Sequence, residues 1–159
     1  MSFMQRAKNE ILDKKEIEEI LTHTMIGRLG TCVGGEPYVV PLTFAYNNGK
    51  IVFHCSKKGK KLENIVKNSL VCFEVDSGVI IPNEKACGFS VNYKSVIAYG
   101  NATIQNDPHR MLEALKQLTE KYASEKVSNQ LTLDIISSYD NLVVVEIIVS
   151  DFKGKKNPL

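Results

Sequence analysis

The chain has 159 residues, of which 43% are hydrophobic and 24% are charged, and its formal net charge is +2. This composition is typical of a globular protein and excludes a disordered one. The net charge is too small to indicate binding to nucleic acid or to a membrane surface through bulk electrostatics. The length predicts a single domain, 1–159, with a sizeable core.

The sequence gives no sign of a membrane or secretory segment. No apolar run approaches the roughly 20 residues of a transmembrane helix, and the N-terminal "MSFMQRAKNE" lacks the apolar stretch of a secretory signal. We therefore expect a cytoplasmic protein with no membrane or nucleic-acid partner. The four cysteines contain no CxxC pair, which argues against a zinc site. We expect them to be reduced and mostly packed in strands.

The first half of the chain predicts one helix followed by three antiparallel strands. Asp13 is a suitable N-cap for the helix. Gly34–Gly35 and "NNG" at 47–49 are turn signals between strands. The predicted elements are a helix over 13–23 and strands over 25–33, 37–46 and 50–56.

The second half predicts two more helices and three more strands. Gly100 interrupts a long strand, which indicates a bend or bulge, and Asp107 followed by Pro108 starts a helix. We expect 78–89 to be irregular, and 131–139 is ambiguous between a loop and a short helix. The remaining predicted elements are a helix over 59–68, strands over 69–77 and 92–106, the helix from 108, and a strand over 141–152.

This order of elements predicts an α+β fold. Consecutive strands with short turns favour an antiparallel sheet. Six strands bent at Gly100 can close into a small barrel with the helices outside it.

The segment "FHCSKKGKKLENI" at 53–65 crowds four lysines around the start of a predicted helix. A helix N-terminus already carries partial positive charge, so lysines there are unfavourable unless an anion lies between them. Gly59 allows close approach to the backbone, and Ser56 offers a hydroxyl. The segment thus predicts an anion site, usually for phosphate, that Lys60 and Lys61 reach. The alternative is a solvated basic loop.

Pro41 lies inside an otherwise regular strand pattern. Because proline cannot donate to the ladder, the strand is either bulged or at an edge there. An interrupted ladder would free the N–H and C=O groups of Leu42 and Thr43 to bind a planar heterocycle. The alternative is an ordinary edge strand.

His54 is the third candidate residue. It alternates with Phe53 and Cys55, so it faces the same side as Ser56, where we expect a ligand. It could stack on a ring, donate a proton, or be a half-buried strand histidine. No Ser–His–Asp or His-x-x-x-His arrangement stands out, so hydrolase and metal functions are not predicted.

Taken together, these motifs resemble a known family. The stretches "GEPYVVPLTFAYNNGKIVFHCSKKGKKLENIVKNSLVCFEVD" and "EKACGFSVNYKSVIAYGNATI" are similar to the flavin-binding split-barrel proteins related to pyridoxamine 5′-phosphate oxidase. Within that family the chain resembles the nitroimidazole-resistance-like branch, over about 13–156. The resemblance implies a six-stranded antiparallel split β-barrel with flanking helices. It also implies a homodimer that binds FMN at the subunit interface and acts on a small-molecule substrate.

The resemblance also implies roles for individual residues. Lys60 and Lys61 would hold the FMN phosphate, and His54 would contact the flavin and act near the substrate. The other implied flavin contacts are Val40, Pro41, Leu42, Thr43, Cys55, Ser56, and, from "NYKSV", Tyr93, Lys94 and Ser95, with the last three coming from the partner subunit.

The chain departs from the oxidases proper at two places. They carry Arg–Lys where this chain has Lys60–Lys61, so the bidentate guanidinium is missing. They also carry a C-terminal arginine and histidine that grip the substrate phosphate, whereas this chain ends in "FKGKKNPL". We therefore do not expect it to oxidise pyridoxamine phosphate.

The leading functional hypothesis is an FMN-dependent oxidoreductase that passes electrons from a reduced donor to a small organic acceptor, such as a nitroaromatic. Three alternatives stay open. They are a non-catalytic flavin carrier or sensor, a haem-binding split barrel with His54 or His23 on the iron, and a structural dimer without a ligand.

Overall fold

A computed structural model describes residues 9–157, which form eight strands and five helices. The strands are β1 (Glu10–Ile11), β2 (Gly27–Val33), β3 (Glu36–Leu42), β4 (Ala45–Asn47), β5 (Lys50–Ser56), β6 (Leu70–Ile81), β7 (Ser90–Gln105) and β8 (Leu142–Asn157). The helices are α1 (Lys14–His23), α2 (Lys60–Lys67), α3 (Pro108–Tyr122), α4 (Glu125–Ser128) and α5 (Leu133–Ser137).

The strands form one antiparallel sheet whose ends do not meet. Its hydrogen-bonded order is β3-β2-β6-β7-β8-β5-β4, and β1 adds to β8. β3 and β4 are consecutive in the chain, yet they stand at opposite ends of this order. The chain therefore crosses the open side of the sheet at Thr43–Phe44. The predicted α+β class, an antiparallel split barrel with flanking helices, is confirmed.

The strand count differs from the predicted six for two local reasons. The predicted strand over 37–46 divides at the crossover, since Leu42 still pairs with Gly27 of β2 whereas Ala45 pairs with Val52 of β5. In addition, the short β1 pairs with the end of β8.

Two strands are longer than predicted. β6 continues to Ile81, so 78–81 are not irregular as expected, because the β-branched Val79, Ile80 and Ile81 extend the ladder with β7. β8 continues to Asn157, since the basic tail pairs with β1 on one side and β7 on the other. Pro158 and Leu159 of that tail, and the first eight residues, lie outside the described range.

The predicted irregularity at Gly100 is confirmed. The register between β7 and β8 shifts between Tyr99 and Gly100. A Cβ on Gly100 would lie 2.2 Å from the Ile148 carbonyl oxygen. Glycine is therefore required here by the close approach of β8.

Two hydrophobic clusters support the sheet. The main one fills its concave side, where the face of α1 that bears Ile17, Ile20 and Leu21 is buried as predicted. The second lies between the outer side of β4, β5 and β8 and helices α3 and α5. Among residues 9–157, no helix has the length and apolar character needed to cross a membrane.

The expectation that the cysteines are mostly packed in strands is only partly right. Cys32, Cys55 and Cys72 do lie in strands, but Cys32 is exposed and the other two are half-buried. Cys87 is exposed in the β6–β7 connection, with a positive φ of 57°. All four are free thiols.

Candidate functional site

The start of α2 presents unoccupied backbone donors. Its N-cap is Gly59, at φ 145° and ψ 155°, a conformation that is essentially restricted to glycine. No side chain among residues 9–157 caps the helix, so backbone N–H groups of the first turn remain available. The helix is fixed by Leu62 and Ile65 in the main cluster and by a 2.9 Å hydrogen bond from the Asn64 Nδ2 to the Thr31 Oγ1. This is the geometry of an anion site.

Lys60 pairs with a residue of β3, whereas the charge of Lys61 acts on a residue of β5. The Lys60 Nζ pairs with the Glu36 carboxylate at the start of β3 and lies 5.7 Å from the centroid of the Tyr38 ring. This exposed pair raises the pKa of Lys60 and lowers that of Glu36. Burial raises the pKa of the Cys55 thiol in β5, and the charge of nearby Lys61 opposes that rise. The first turn of α2 thus carries one ammonium group that pairs with β3 and a second whose charge acts on Cys55.

β3 carries a free edge, because β2 is its only partner among the described strands. The Gly34–Gly35 turn has φ values of 59° and 82° and fixes the register. Pro37 and Pro41 are four residues apart, so both occupy positions of β3 whose backbone groups point away from β2. Proline's missing N–H therefore removes no hydrogen bond from the ladder.

The prediction of an edge strand at Pro41 is confirmed, whereas an interrupted ladder is wrong. Pro41 pairs with Arg28 and Leu42 with Gly27 in unbroken register. The groups of Leu42 therefore face β2, because alternate residues of an edge strand point outward. The outward groups near this end are the Pro41 carbonyl and those of Thr43, which follows the ladder.

The free edge leads from the lysines to the crossover. Tyr38, beside Lys60, is five residues from Thr43, which is about 16 Å along a strand. The side chains of Val40 and Leu42 pack against the main cluster, while Pro41 and Thr43 are exposed. The edge therefore runs from the cationic start of α2 to outward backbone groups at the crossover.

His54 and Cys55 do not face the same space. Cys55 packs against the main cluster. His54 pairs with Val144, which belongs to the second cluster, and is exposed together with Ser56, as the alternation predicts. Burial of part of its ring lowers the pKa of His54, which favours the neutral imidazole. One chain therefore does not bring the imidazole and the thiol to one ligand.

Tyr93, Lys94 and Ser95 lie in β7, far along the sheet from His54. Tyr93 pairs with Asn157 of β8, while His54 pairs with Val144 of the same strand. These two partners are 13 positions apart in β8, on the order of 40 Å along the strand. Tyr93 and Ser95 are half-buried, and the Lys94 Nζ is 3.3 Å from the Glu16 carboxylate.

A family model, described as pyridoxamine 5′-phosphate oxidase, matches residues 13–155. The chain belongs to this family. The predicted membership is therefore confirmed over nearly the whole described range. No curated protein matches the chain significantly.

Several solved structures resemble this member of the pyridoxamine 5′-phosphate oxidase family. A candidate 5-nitroimidazole antibiotic resistance protein from Bacteroides thetaiotaomicron is 25% identical, with a TM-score of 0.76, over 92% of this chain and 85% of that one. It matches the branch predicted from the sequence.

Two more distant structures show the same fold. A flavocytochrome from Azotobacter vinelandii is 19% identical with a TM-score of 0.81, over 99% of this chain and 73% of that one. A FAD- and haem-binding protein from Mycobacterium smegmatis is 14% identical with a TM-score of 0.79, over 94% and 73%.

Sequence reasoning missed the residues that surround Lys60 and the crossover. Glu36 is 24 positions before Lys60, and only the tertiary fold brings the two together. Tyr122 has the spacing of the apolar stripe of α3, which gave no sign that its hydroxyl bonds to the Phe44 backbone. The one available signal was that tyrosine, unlike leucine, needs a hydrogen-bond partner when it is buried.

Proposed function

We propose that this chain is a flavoprotein that binds FMN, with the phosphate at the start of α2 and the ring along the outer edge of β3. The observation that carries the proposal is the junction of these two features. An uncapped, glycine-started helix with two lysines adjoins an unpaired strand edge. The resemblance to a flavin-binding family supports the same assignment.

The residues present fit an FMN phosphate. Lys60, Lys61 and the free N–H groups of the first turn supply cationic and neutral donors. One group opposes this fit, because Glu36 holds Lys60 and would repel a phosphate. Binding therefore requires the Lys60 ammonium to leave Glu36 and pair with the phosphate. Because one ion pair is exchanged for another, Lys60 contributes less to the free energy of FMN binding.

At the ring end, the edge of β3 offers polar groups without a protein partner. The outward Pro41 carbonyl, together with the backbone groups and hydroxyl of Thr43, can bond the rim of a planar heterocycle. The prolines at 37 and 41 also keep another strand from adding to this edge. A flat ligand with donors and acceptors on its rim is what such an edge accommodates.

We further propose a homodimer in which the partner supplies the second wall of the site. The β6–β7 hairpin exposes Val79 by 69%, Ile80 by 68% and Phe89 by 66%, an apolar surface that a partner would cover. Tyr93 and Ser95 lie at the base of this hairpin, remote from His54 along the sheet. A partner's copy would let them reach the flavin. Sedimentation equilibrium tests this proposal: a dimer supports it, and a monomer at micromolar concentration contradicts it.

The proposed activity is transfer of electrons from a reduced donor to a small organic acceptor such as a nitroaromatic. The flavin supplies the redox chemistry when bound. His54 would contact the acceptor as a neutral imidazole, able to stack on a ring or to give and accept hydrogen bonds. Because its pKa is lowered, it serves as a proton donor only where a nearby negative charge restores that pKa.

The decisive experiment mixes FMN-loaded protein anaerobically with NADH or NADPH and then with a 5-nitroimidazole. Bleaching of the flavin band, recovery on adding the acceptor and loss of the nitro absorbance support an oxidoreductase. Loss of turnover in His54→Phe but not in His109→Phe, a matched change at the exposed start of α3, assigns the role to His54. Bound flavin that neither donor reduces would instead favour the carrier. A Soret band in the purified protein would favour haem.

A further inference from the structure

The hydroxyl of Tyr122, the last residue of α3, holds both polar backbone groups of Phe44. It accepts a hydrogen bond from the Phe44 N–H at 2.9 Å and lies 2.9 Å from the Phe44 carbonyl oxygen. It also lies 2.6 Å from the Met25 carbonyl oxygen. A hydroxyl has a single hydrogen, so it donates to one of these two carbonyls at a time.

These bonds replace the ladder that Phe44 lacks. Phe44 stands between Leu42, the last residue of β3, and Ala45, the first of β4. Strand pairing ends on one side of it and resumes on the other. Without Tyr122, the N–H and carbonyl of a fully buried residue would lose this partner, and a buried backbone group without a partner is costly.

Lys121 contacts the ring of the same residue, Phe44. Its Nζ lies 3.8 Å from the centroid of the Phe44 ring and 2.6 Å from the Thr24 carbonyl oxygen. The Phe44 ring also packs against the Phe73 ring in a tilted arrangement, with an interplanar angle of 59° and centroids 4.8 Å apart. The backbone and ring of Phe44 are therefore both anchored by the C-terminal end of α3.

We propose that Tyr122 is a positioning residue for the flavin ring, because it sets the orientation of the Thr43–Phe44 peptide. Thr43 immediately precedes Phe44 and ends the free edge of β3 along which the ring is placed. A rotation of this peptide would move the Thr43 hydroxyl and carbonyl away from the ring rim. The inference rests on the proposed flavin site, and it adds a residue from a helix that itself lies outside that site.

The test compares Tyr122→Phe with Tyr139→Phe, a matched loss of one hydroxyl. Tyr139 is 45% exposed, and its hydroxyl has no hydrogen bond to residues 9–157. For Tyr122→Phe we expect FMN affinity to fall about tenfold, since a hydrogen bond left without its partner has about that effect. We also expect a shifted visible spectrum at saturating FMN. Tyr139→Phe should match the wild type in both.

The spectrum at saturation separates positioning from stability. A purely structural role would lower the melting temperature but leave the bound flavin in the wild-type environment, with an unchanged spectrum. Wild-type affinity and spectrum in Tyr122→Phe would overturn the inference. If that variant does not fold, Lys121→Met perturbs the Phe44 ring instead and is measured in the same way. We expect a smaller spectral shift, and an unchanged spectrum would overturn the inference.

Amide exchange of Phe44 distinguishes failure of the inference from failure of the proposed function. In the protein without flavin, the Phe44 N–H should be protected in the wild type and exchange at least tenfold faster in Tyr122→Phe. Protection that the substitution leaves unchanged overturns the inference, whatever the ligand. If exchange is faster in Tyr122→Phe than in the wild type but the wild type binds no flavin, the proposed function is overturned, and the positioning role with it.

Discussion

Replacing Lys60 and Lys61 by alanine is the perturbation that most directly probes the phosphate end of the proposed site. The two ammonium groups differ in how freely they can bind. Lys60 is 46% exposed and already paired with Glu36, whereas Lys61 has no carboxylate within 4 Å among the described residues. Lys61 should therefore contribute more than Lys60.

The expected size follows from these environments. A charge-assisted hydrogen bond from a partly exposed lysine to phosphate changes affinity about tenfold or somewhat more. Solvent screening, and the loss of the ion pair with Glu36 on binding, reduce the contribution of Lys60 to FMN affinity. The double variant should weaken FMN binding about a hundredfold. Riboflavin lacks the phosphate, so its affinity should change less than threefold by the same reasoning.

The assay is a fluorescence titration of both flavins into the protein without cofactor, at fixed ionic strength. The matched control is Lys57→Ala with Lys58→Ala, which removes the same charge just before the helix. We expect the ratio of FMN to riboflavin affinity to collapse in the Lys60/Lys61 variant and to persist in the control. Equal losses for both flavins, or equal losses in both double variants, would refute a specific phosphate site.

Three further predictions concern the backbone and pH. Gly59→Ala should destabilise the fold by about 1–3 kcal/mol in urea unfolding and weaken FMN binding, because φ 145° is strained for alanine although the space is open; unchanged stability contradicts this. Gly100→Ala should cost about 1–3 kcal/mol, since its Cβ would clash with the Ile148 carbonyl; a variant as stable as the wild type refutes that contact. Burial lowers the pKa of Lys121 to about 8, so between pH 8 and about 10.4 the unfolded chain binds more protons and folding stability should rise with pH. Over this pH range the free energy of unfolding of the wild type should rise, relative to Lys121→Met, by about 1 kcal/mol, a value reduced for the partial exposure of Lys121. A relative stability that falls with pH would contradict the predicted sign.

Local signals in the sequence were sufficient for the starts of α1 and α3, whereas the four-residue helix α4 was not predicted and the region of α5 was left ambiguous. α1 and α3 begin where Asp13 and Asp107 cap them, each with a side-chain oxygen that accepts from a backbone N–H of the first turn. Such caps act within three residues, so the pattern that reveals them is contiguous in the chain. The edge position of β3 was likewise readable from Pro41, because a missing donor limits where a strand can lie.

The site could be predicted only in part, since much of it depends on which distant segments meet. The lysines at the start of α2 were visible, but the pairing of Lys60 with Glu36 was not. The alternation placed His54 and Ser56 on one face correctly, yet which cluster that face meets depends on the pairing of β5 with β8. The extension of β6 through Val79–Ile81 was missed because three consecutive apolar residues do not alternate.

The measurement that tests the central claim most directly is the absorption spectrum of the purified protein, followed by chromatography of the flavin released on heating. Bound FMN predicts bands at about 375 and 450 nm, the absorption of an oxidised flavin, and release of FMN rather than FAD. A colourless protein that also fails to bind added FMN would contradict the account, and the lysines of α2 would then hold another anion or none.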